Sequence, residues 1–182
     1  MNSEHSLDCL VFDIEANGLY EDATTIHCIC GKYLDQEGIF SKFSLYSDHL
    51  TADYITKCFS GKKIIGHNII NYDIPMIKKF YGVDLIELVG IENIVDTYIL
   101  SQLLYPDRQL PKGCPQVVFN PITRKSKKIG PHGLESWGYR VGYKKIEIHD
   151  WRTFDENMLD RCETDVLINE KVYYKLLEEA GL

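Results

Sequence analysis

Apolar and polar positions change their period several times along the 182-residue chain, and each period predicts a different element. Near the N terminus, short apolar runs rich in β-branched and aromatic residues are separated by turn residues, a pattern typical of consecutive antiparallel strands. The predicted strands cover residues 8–14, 25–34 and 39–46, with Asn17-Gly18 as a turn and residues 35–38 as a hairpin loop. The chain is therefore expected to begin with three antiparallel strands.

The middle of the chain alternates between short apolar strands and stretches of helical period. Helices are predicted over residues 51–59, 73–80, 96–104 and 132–139, and short strands over residues 62–66 and 93–95. Thr51 or the residue before it is expected to cap the first of these helices and Asp96 the third, because short polar side chains accept hydrogen bonds from the free N–H groups of a first turn. Gly138 is expected to end the fourth helix.

One long helix is predicted over residues 154–179, with Thr153 and Glu156 at the spacing of a capping box. One face of this helix carries a stripe at helical spacing, made of Met158, Cys162, Asp165, Asn169, Val172 and Leu176. Asp165 is therefore expected on the inward face, where a carboxylate destabilises the fold unless another group compensates its charge.

The region between residues 105 and 131 holds most of the prolines and a group of basic side chains. These are Arg108, Lys112, Arg124, Lys125, Lys127 and Lys128. We predict an exposed loop with a small hairpin near residues 117–125, and loops of this length are usually functional or disordered. Since no linker or repeat divides the sequence, residues 1–182 are predicted to form one α/β domain with a mixed sheet, three antiparallel strands first, and helices on both faces.

Composition narrows the class of protein. The chain is 45% hydrophobic and 26% charged, which is ordinary for a globular domain. No run of about 18 apolar residues exists, so no membrane span is expected. The first residues lack the basic and apolar regions of a secretory signal, and a cytoplasmic location is expected. A net charge of −7 is a poor match to a general nucleic-acid clamp. It does not exclude a nuclease, because bound metal ions offset carboxylates and a local basic patch attracts the backbone.

Six cysteines occur in the chain, and none forms a CxxC pair. Cys28 and Cys30 are two residues apart in a predicted strand and share one of its faces. We interpret the six as reduced thiols of a cytoplasmic protein. A structural zinc site is the less favoured alternative, because the usual paired spacing of ligands is missing.

Four carboxylates in three separated segments are candidates for a metal-binding catalytic site. Asp13 and Glu15 end the first predicted strand, Asp73 begins a predicted helix, and Asp165 lies on the inward face of the last helix. Residues i and i+2 of a strand point to the same side, so the first two acids repel each other unless a cation lies between them. The natural cation for an all-oxygen site is Mg²⁺ or Mn²⁺, which makes attack on phosphate esters a candidate reaction. Taken singly, each acid has an ordinary alternative as a solvated surface residue.

Together these segments resemble a known family. DIEAN, GHNIINYD and a helix carrying TDV, in that order, resemble the three exonuclease motifs of the DEDD superfamily, which has the ribonuclease-H-like fold. VDTYILSQLL, HGLESWGYRVG and DWRTFDENMLD are similar to the N-terminal proofreading domain of family-A DNA polymerases from short-tailed bacteriophages, and the likeness extends from about Leu10 to Leu177. The polymerase portion has no counterpart, so we expect a free-standing protein or a piece of a polymerase, acting in a bacterial host if a phage encodes it.

The resemblance implies roles for the acids. Asp13 would bridge two divalent ions, Mg²⁺ or Mn²⁺, and Glu15 and Asp165 would hold the ion that activates water. Asp73 would support the second ion through bound water. Two ions about 3.5–4 Å apart stabilise the attacking and leaving oxygens of a displacement at phosphorus. The implied activity is release of nucleoside 5′-monophosphates from single-stranded DNA 3′ ends, in proofreading and with a DNA polymerase as an expected partner.

One position departs from the family pattern. Family-A members have a tyrosine four residues before the last acid, and another subgroup has a histidine five before it, whereas this chain has Arg161 and Asp160. Arginine stays charged and cannot accept a proton from water, although it can bind the scissile phosphate or pair with one of the acids. We expect activity to survive in full or at a reduced rate. Tyr143 is one candidate for the role of the missing tyrosine.

Further residues are candidates for contact with nucleic acid. Leu19 and Tyr72 are placed next to the acids, where family members wedge or stack side chains on terminal bases, and Asn68, upstream of Asp73, is a further candidate. Arg124, Lys125, Lys127 and Lys128 are candidates for phosphate contacts, the alternative being an ordinary solvated loop. Two other functions stay open: a nucleic-acid-binding or interaction domain with lost catalysis, and a nuclease acting on RNA or short oligonucleotides.

Overall fold

The structure is a computed structural model that describes residues 8–34 and 41–182. Its strands are β1 (Cys9–Ala16), β2 (Ile26–Tyr33), β3 (Lys42–Tyr46), β4 (Lys63–Gly66), β5 (Ile94–Asp96), β6 (Val117–Asn120) and β7 (Lys125–Lys128). Its helices are α1 (Ala52–Phe59), α2 (Asp73–Tyr81), α3 (Leu85–Val89), α4 (Thr97–Leu104), α5 (Leu134–Val141) and α6 (Glu156–Ala180). The predicted hairpin loop at residues 35–38 lies outside the described residues.

Five strands form one mixed sheet in the order β3-β2-β1-β4-β5. The pairs β1–β2 and β2–β3 are antiparallel, whereas β1–β4 and β4–β5 are parallel. The mixed sheet that begins with three antiparallel strands is therefore confirmed. In this order β1 occupies the middle of the sheet, so the residues at its C-terminal end are covered by elements on both sides.

Alternate residues of β1 point into two separate cores. Leu10, Phe12 and Ile14 pack in a core that also contains residues of α1, α2 and α3. Val11 points the other way, into a core shared with β2 and α6. Because helices cover both faces, a central strand is apolar on both sides, which explains the nearly continuous apolar run at the start of the sequence.

Helix α6 lies across β1 and β2 and buries its predicted stripe, including Asp165, which is 2% exposed. It begins at Glu156, and the side chain of Asp155 accepts a hydrogen bond from the N–H of Asn157. The predicted capping box was therefore wrong at its first position: Asp155, and not Thr153, caps the helix. Thr153 and Asp155 both carry a side-chain acceptor, and the three-residue spacing to Glu156 favoured Thr153.

Helix α5 runs past Gly138, which was predicted to end it, and stops at Val141 before Gly142 with a φ of 78°. Gly138 has a different function, because a Cβ placed there would lie 2.5 Å from the carbonyl oxygen of Tyr143. The N–H of Tyr143 donates to the Gly138 carbonyl oxygen at 2.9 Å. This glycine allows the chain leaving α5 to turn back closely against the helix.

The other differences from prediction are small. The hairpin near residues 117–125 is present as β6 and β7 and extends to Lys128. Helix α3, capped by Asp84, was not predicted, since five residues contain little more than one helical turn. The caps predicted at Thr51 and Asp96 are confirmed. Among the described residues, no helix combines the length and the apolar character needed to cross a membrane.

Candidate active site

Three carboxylates from two elements meet at the C-terminal end of β1. Asp13 and Glu15 of β1 point to the side of the sheet that α6 covers. Asp165, on the inward face of α6, lies opposite them. Each residue offers an oxygen atom, and the three atoms lie within 4.8 Å of one another. We call Asp13, Glu15 and Asp165 the oxygen cluster.

Asp73 reaches the same place from another side of the fold. It is the first residue of α2 and is 3% exposed. Its Oδ1 accepts a hydrogen bond from the N–H of Ile14 at 3.1 Å, so the carboxylate is tied to the strand between Asp13 and Glu15. The four acids that lie far apart in the sequence therefore converge on one strand end.

The protein environment opposes the charge of these acids. Burial, then the nearby carboxylates of Asp165, Asp73 and Glu15, raise the pKa of Asp13 well above its ordinary value. Burial also raises the pKa of Glu15 to about 7, although the charge of Arg161 acts against this shift. The pKa of Asp73 rises to about 8, again mainly through burial. Carboxyl groups in this state keep a proton near neutral pH unless a cation joins them.

Two basic side chains supply part of the missing positive charge. Arg161 donates from Nε to Oε1 of Glu15 at 2.8 Å, and Lys145 donates from Nζ to Oδ2 of Asp165 at 2.6 Å. Pairing of Arg161 with an acid was one of the two outcomes expected from the sequence. Lys145 was missed, because it lies in an irregular segment between α5 and α6 where no periodic pattern marks an inward residue.

Arg161 is held at three points. Besides Glu15, its guanidinium donates from Nη1 to the carbonyl oxygen of Ile146, and it lies 5.2 Å from the centre of the Trp151 ring. The segment that carries Lys145 is therefore fastened to α6 by the same arginine that neutralises Glu15. Such a guanidinium has little freedom to move, whereas the flexible stem of a lysine lets its ammonium group turn.

The donor set fits a divalent cation. Oδ1 of Asp165 is buried, and among the described residues it has no hydrogen-bond partner. A buried carboxylate oxygen without a partner is costly, and a metal ion directed at that oxygen removes the cost. All four acids offer hard oxygen donors, the type that Mg²⁺ and Mn²⁺ prefer over nitrogen or sulfur.

The acids open onto a cleft of about 610 Å³. Of the residues predicted to contact nucleic acid, Asn68, Tyr72, Lys127 and Lys128 line it. The remaining three, Leu19, Arg124 and Lys125, are not among its lining residues. The basic hairpin therefore faces the acids with its β7 end, while its turn points elsewhere.

Another part of the cleft wall is fixed by partly buried hydrogen bonds. The Asp96 carboxylate accepts from the N–H groups of Asn68 and Ile70, which holds the turn before α2 in place. His67 Nδ1 lies 2.9 Å from Oγ1 of Thr97, and burial lowers the pKa of His67 to about 3, so its ring is neutral. The sequence prediction missed His67 as a cleft residue.

Tyrosines are present in the cleft, although not at the family position. Tyr72 and Tyr98 line it, and the hydroxyl of Tyr72 donates to the carbonyl oxygen of Gly18 at 2.7 Å. Tyr143, the suggested replacement for the missing tyrosine, is 39% exposed, lies beside Lys171 and is not a lining residue. Nothing in its position supports the water-orienting role.

Comparison with known sequences finds relatives among phage polymerases, while no family model matches the chain. The DNA-directed DNA polymerase of Escherichia phage T7 is 30% identical over 194 residues, and that of Enterobacteria phage T3 is 31% identical. Each alignment covers 93% of this chain and 27% of the polymerase. The chain thus spans about a quarter of the length of these relatives.

Solved structures with the same fold are described as nucleases. Brucella melitensis NrnC with bound Mg²⁺ matches with a TM-score of 0.59 and 17% identity, covering 98% of this chain and 78% of NrnC. E. coli Exonuclease I in complex with a dT13 oligonucleotide matches with a TM-score of 0.57 and 14% identity, covering 94% of this chain and 41% of that one. At such identities the likeness concerns the fold. Together the comparisons agree with the resemblance drawn from the sequence: the chain is similar to one quarter of the T7 and T3 DNA polymerases, and it shares its fold with NrnC and Exonuclease I.

Proposed function

We propose that residues 1–182 form a single metal-dependent exonuclease domain, which removes nucleoside 5′-monophosphates from single-stranded DNA 3′ ends. The observation that carries the proposal is the convergence of Asp13, Glu15, Asp73 and Asp165 at one strand end. Side chains this distant in the sequence meet at a cost in electrostatic repulsion, and a shared divalent cation is the simplest compensation.

The family resemblance suggests the roles of the acids. Asp13 would hold both ions, Glu15 and Asp165 would hold one of them, and Asp73 would support the other. Bound Mg²⁺ or Mn²⁺ supplies polarisation of the scissile phosphate and a lowered pKa of water. The chain itself fixes the ligands: α6 orients Asp165, and the N–H of Ile14 orients Asp73.

Arg161 and Lys145 prepare the site before the metal binds. Their positive charges lie against Glu15 and Asp165 and hold both side chains in place. Lys145 lines the cleft and has three donors on a flexible stem, so its ammonium group can turn from Asp165 toward a phosphate oxygen of the substrate. Arg161 stays with Glu15 because two further contacts hold it.

The cleft supports a single strand as the substrate. Lys127 and Lys128 place positive charge on its wall, which suits the phosphates of a strand whose 3′ end lies among the acids. Tyr72 offers an aromatic ring beside Asp73 for the terminal base. The similar Exonuclease I was solved with an oligonucleotide, and the related T7 and T3 proteins are polymerases. Both support DNA as substrate and proofreading beside a polymerase in the host cytoplasm.

A 3′-labelled single-stranded oligonucleotide incubated with Mg²⁺ or Mn²⁺ tests the proposal. We expect labelled mononucleotide to appear, and Asp13→Asn to reduce its rate of formation by about 100–1000-fold, since metal ions contribute several kcal/mol to such reactions. Glu178→Gln, on the exposed part of α6, is the control and should keep the full rate. Equal rates for Asp13→Asn and the unaltered protein would refute the proposal.

A binding domain without catalysis is the second candidate. The observation that favours it is the occupation of two carboxylates by Arg161 and Lys145, which compete with metal ions for the same oxygens. Calorimetric titration with Mn²⁺ beside the cleavage assay separates the two. Tight Mn²⁺ binding without mononucleotide release supports the binding domain, and turnover removes it. The same assay on matched RNA and DNA strands decides between the two sugars.

A further inference from the structure

A second group of metal-ligating side chains lies beside the oxygen cluster. Cys28, Cys30 and Cys162 each place a sulfur atom within 4.8 Å of the other two. All three residues are buried, with exposures of 0%, 1% and 0%, and none is in a disulfide. We call these three residues the sulfur cluster.

Strand register and helix position bring these thiols together. Cys28 and Cys30 are two residues apart on β2, so both side chains point toward α6, which contributes Cys162. In the β1–β2 ladder Cys28 pairs with Glu15 and Cys30 pairs with Asp13. The sulfur cluster is thus the lateral neighbour of the oxygen cluster on the same face of the sheet.

The spacing of the sulfur atoms is close to that of a metal thiolate site. With Zn–S bonds of about 2.3 Å, the sulfurs of a tetrahedral site lie about 3.8 Å apart. Small side-chain rotations therefore suffice to close the three sulfurs on one ion. The carbonyl oxygen of Asp13, which lies 3.2 Å from Sγ of Cys162, is positioned to serve as a fourth, harder donor.

A small cavity beside β2 lies next to one residue of the sulfur cluster, Cys30. This cavity of about 50 Å³ is lined by Cys30, Phe43 and Glu163, among others, and lies between the sheet and α6. It is large enough for one small ion or water molecule. Glu163 at its wall accepts a hydrogen bond from the hydroxyl of Ser44 at 2.8 Å and is paired with Lys42 at 3.4 Å. Both a carboxylate and a cysteine therefore line this cavity.

We propose that the sulfur cluster binds one thiophilic d¹⁰ cation, with Zn²⁺ as the physiological member of that class. Three S–H bonds are replaced by three metal–sulfur bonds, and three protons pass to solvent. Soft thiolate donors select Zn²⁺ and Cd²⁺ over Mg²⁺, so this site and the oxygen cluster take different ions from one mixture. The bound ion joins β2 to α6 and thereby fixes Asp165 relative to β1.

X-ray absorption at the zinc edge tests the proposal on the unaltered protein. The reduced protein is given one equivalent of Zn²⁺ in a large excess of Mg²⁺, which saturates the carboxylates. We expect three sulfur neighbours at about 2.3 Å and one oxygen. Nitrogen and oxygen as the main neighbours of the zinc ion would overturn the proposal. Because the unaltered protein is used, misfolding of a variant cannot affect the result.

Cadmium titration of variants gives a second measurement. The ultraviolet thiolate-to-cadmium absorption should saturate at one ion per chain in the unaltered protein and in Cys114→Ser, whose cysteine lies far from the cluster. Cys162→Ser and Cys162→Ala should bind at least about 100-fold more weakly, since even residues that only orient ligands contribute 10–100-fold. Circular dichroism verifies that both variants are folded.

The variants also separate this proposal from the nuclease. Asp73→Asn, which removes one of the four acids of the proposed nuclease site, should leave the cadmium absorption unchanged. Undiminished binding by folded Cys162→Ser and Cys162→Ala, or absorption that disappears in Cys114→Ser, would show that the sulfur cluster is not the site.

Discussion

The oxygen cluster and the sulfur cluster are neighbours on one face of the sheet, yet they differ in charge and in access to solvent. The carboxylates open onto a cleft and are paired with Arg161 and Lys145. The thiols are enclosed, and their neighbours include backbone carbonyls, apolar side chains and Glu163. A buried carboxylate needs a counter-ion. In the sulfur cluster, hydrogen bonds with Cys162 and Cys28 lower the pKa of Cys30 to about 5, while burial raises the pKa of Cys162.

This difference teaches how one backbone pattern yields sites for different ions. Residues i and i+2 of adjacent strands supply two ligands to each cluster, and one turn of α6 supplies the third. The choice of oxygen or sulfur then decides which ion is preferred. Each of the following changes affects one cluster and leaves the other unaltered.

The largest expected effect is the loss of nuclease activity in Asp165→Asn. The amide keeps the shape of the side chain but loses the charge, so kcat/KM on a labelled oligonucleotide should fall by about 100–1000-fold. A variant with near-normal activity would remove Asp165 from the site.

Replacement of Arg161 should affect stability before it affects catalysis. In Arg161→Met, Glu15 remains buried without its counter-ion, and loss of one partner of a buried pair costs about 3 kcal/mol. Urea unfolding of the metal-free protein measures this loss, and added Mn²⁺ should recover part of it. Arg152→Met is the matched control, since the Arg152–Asp150 pair is exposed and should contribute little to stability.

The metal-free protein should lose stability as the pH rises from about 4.5 to 7. The pKa of Glu15 is about 7 in the fold against 4.5 in an unfolded chain, so the folded state binds the proton more tightly. Its contribution is present below pH 4.5 and is lost as the pH rises through 7, by at most about 3 kcal/mol. Urea midpoints across this range should fall, and Glu15→Gln should flatten the slope. An identical slope in both proteins would contradict the shift.

The smallest expected effect is on the binding of single-stranded DNA in the cleft beside the oxygen cluster. Lys127→Gln with Lys128→Gln should weaken binding of single-stranded DNA and reduce the salt slope by about 1.4, since each phosphate contact contributes about 0.7. Arg124→Gln with Lys125→Gln removes the same charge from outside the cleft and should change the slope less. Equal slopes in the two double variants would show that only net charge matters.

Much of the oxygen cluster was predictable from local periodicity. The spacing of Asp13 and Glu15 places both on one strand face, and the stripe of the last helix turns Asp165 inward. Asp73 begins α2, Asp13 and Glu15 lie in the C-terminal half of β1, and Asp165 lies on the inward face of α6, as the apolar patterns around them predict. The predicted fold class was confirmed, because the same patterns mark the strands and helices.

The remaining features depend on contacts between elements. Lys145 reaches Asp165 from an irregular segment, and the sequence gives no sign of which of Lys144 and Lys145 faces inward. The sulfur cluster depends on the register of β2 against β1 and on the position of α6 along the sheet. Neither can be predicted from two cysteines in a strand and one in a helix. The sequence also does not show which part of the basic hairpin faces the acids. Lys127 and Lys128 line the cleft, whereas Arg124 and Lys125 do not.

Anomalous X-ray diffraction from crystals soaked in Mn²⁺ tests the central claim most directly. We expect manganese bound by carboxylate oxygens of Asp13, Glu15 and Asp165, with the ammonium group of Lys145 moved away from Asp165. Manganese absent from these oxygens, with Lys145 and Arg161 still in their present ion pairs, would contradict the assignment of this strand end as a metal-dependent active site.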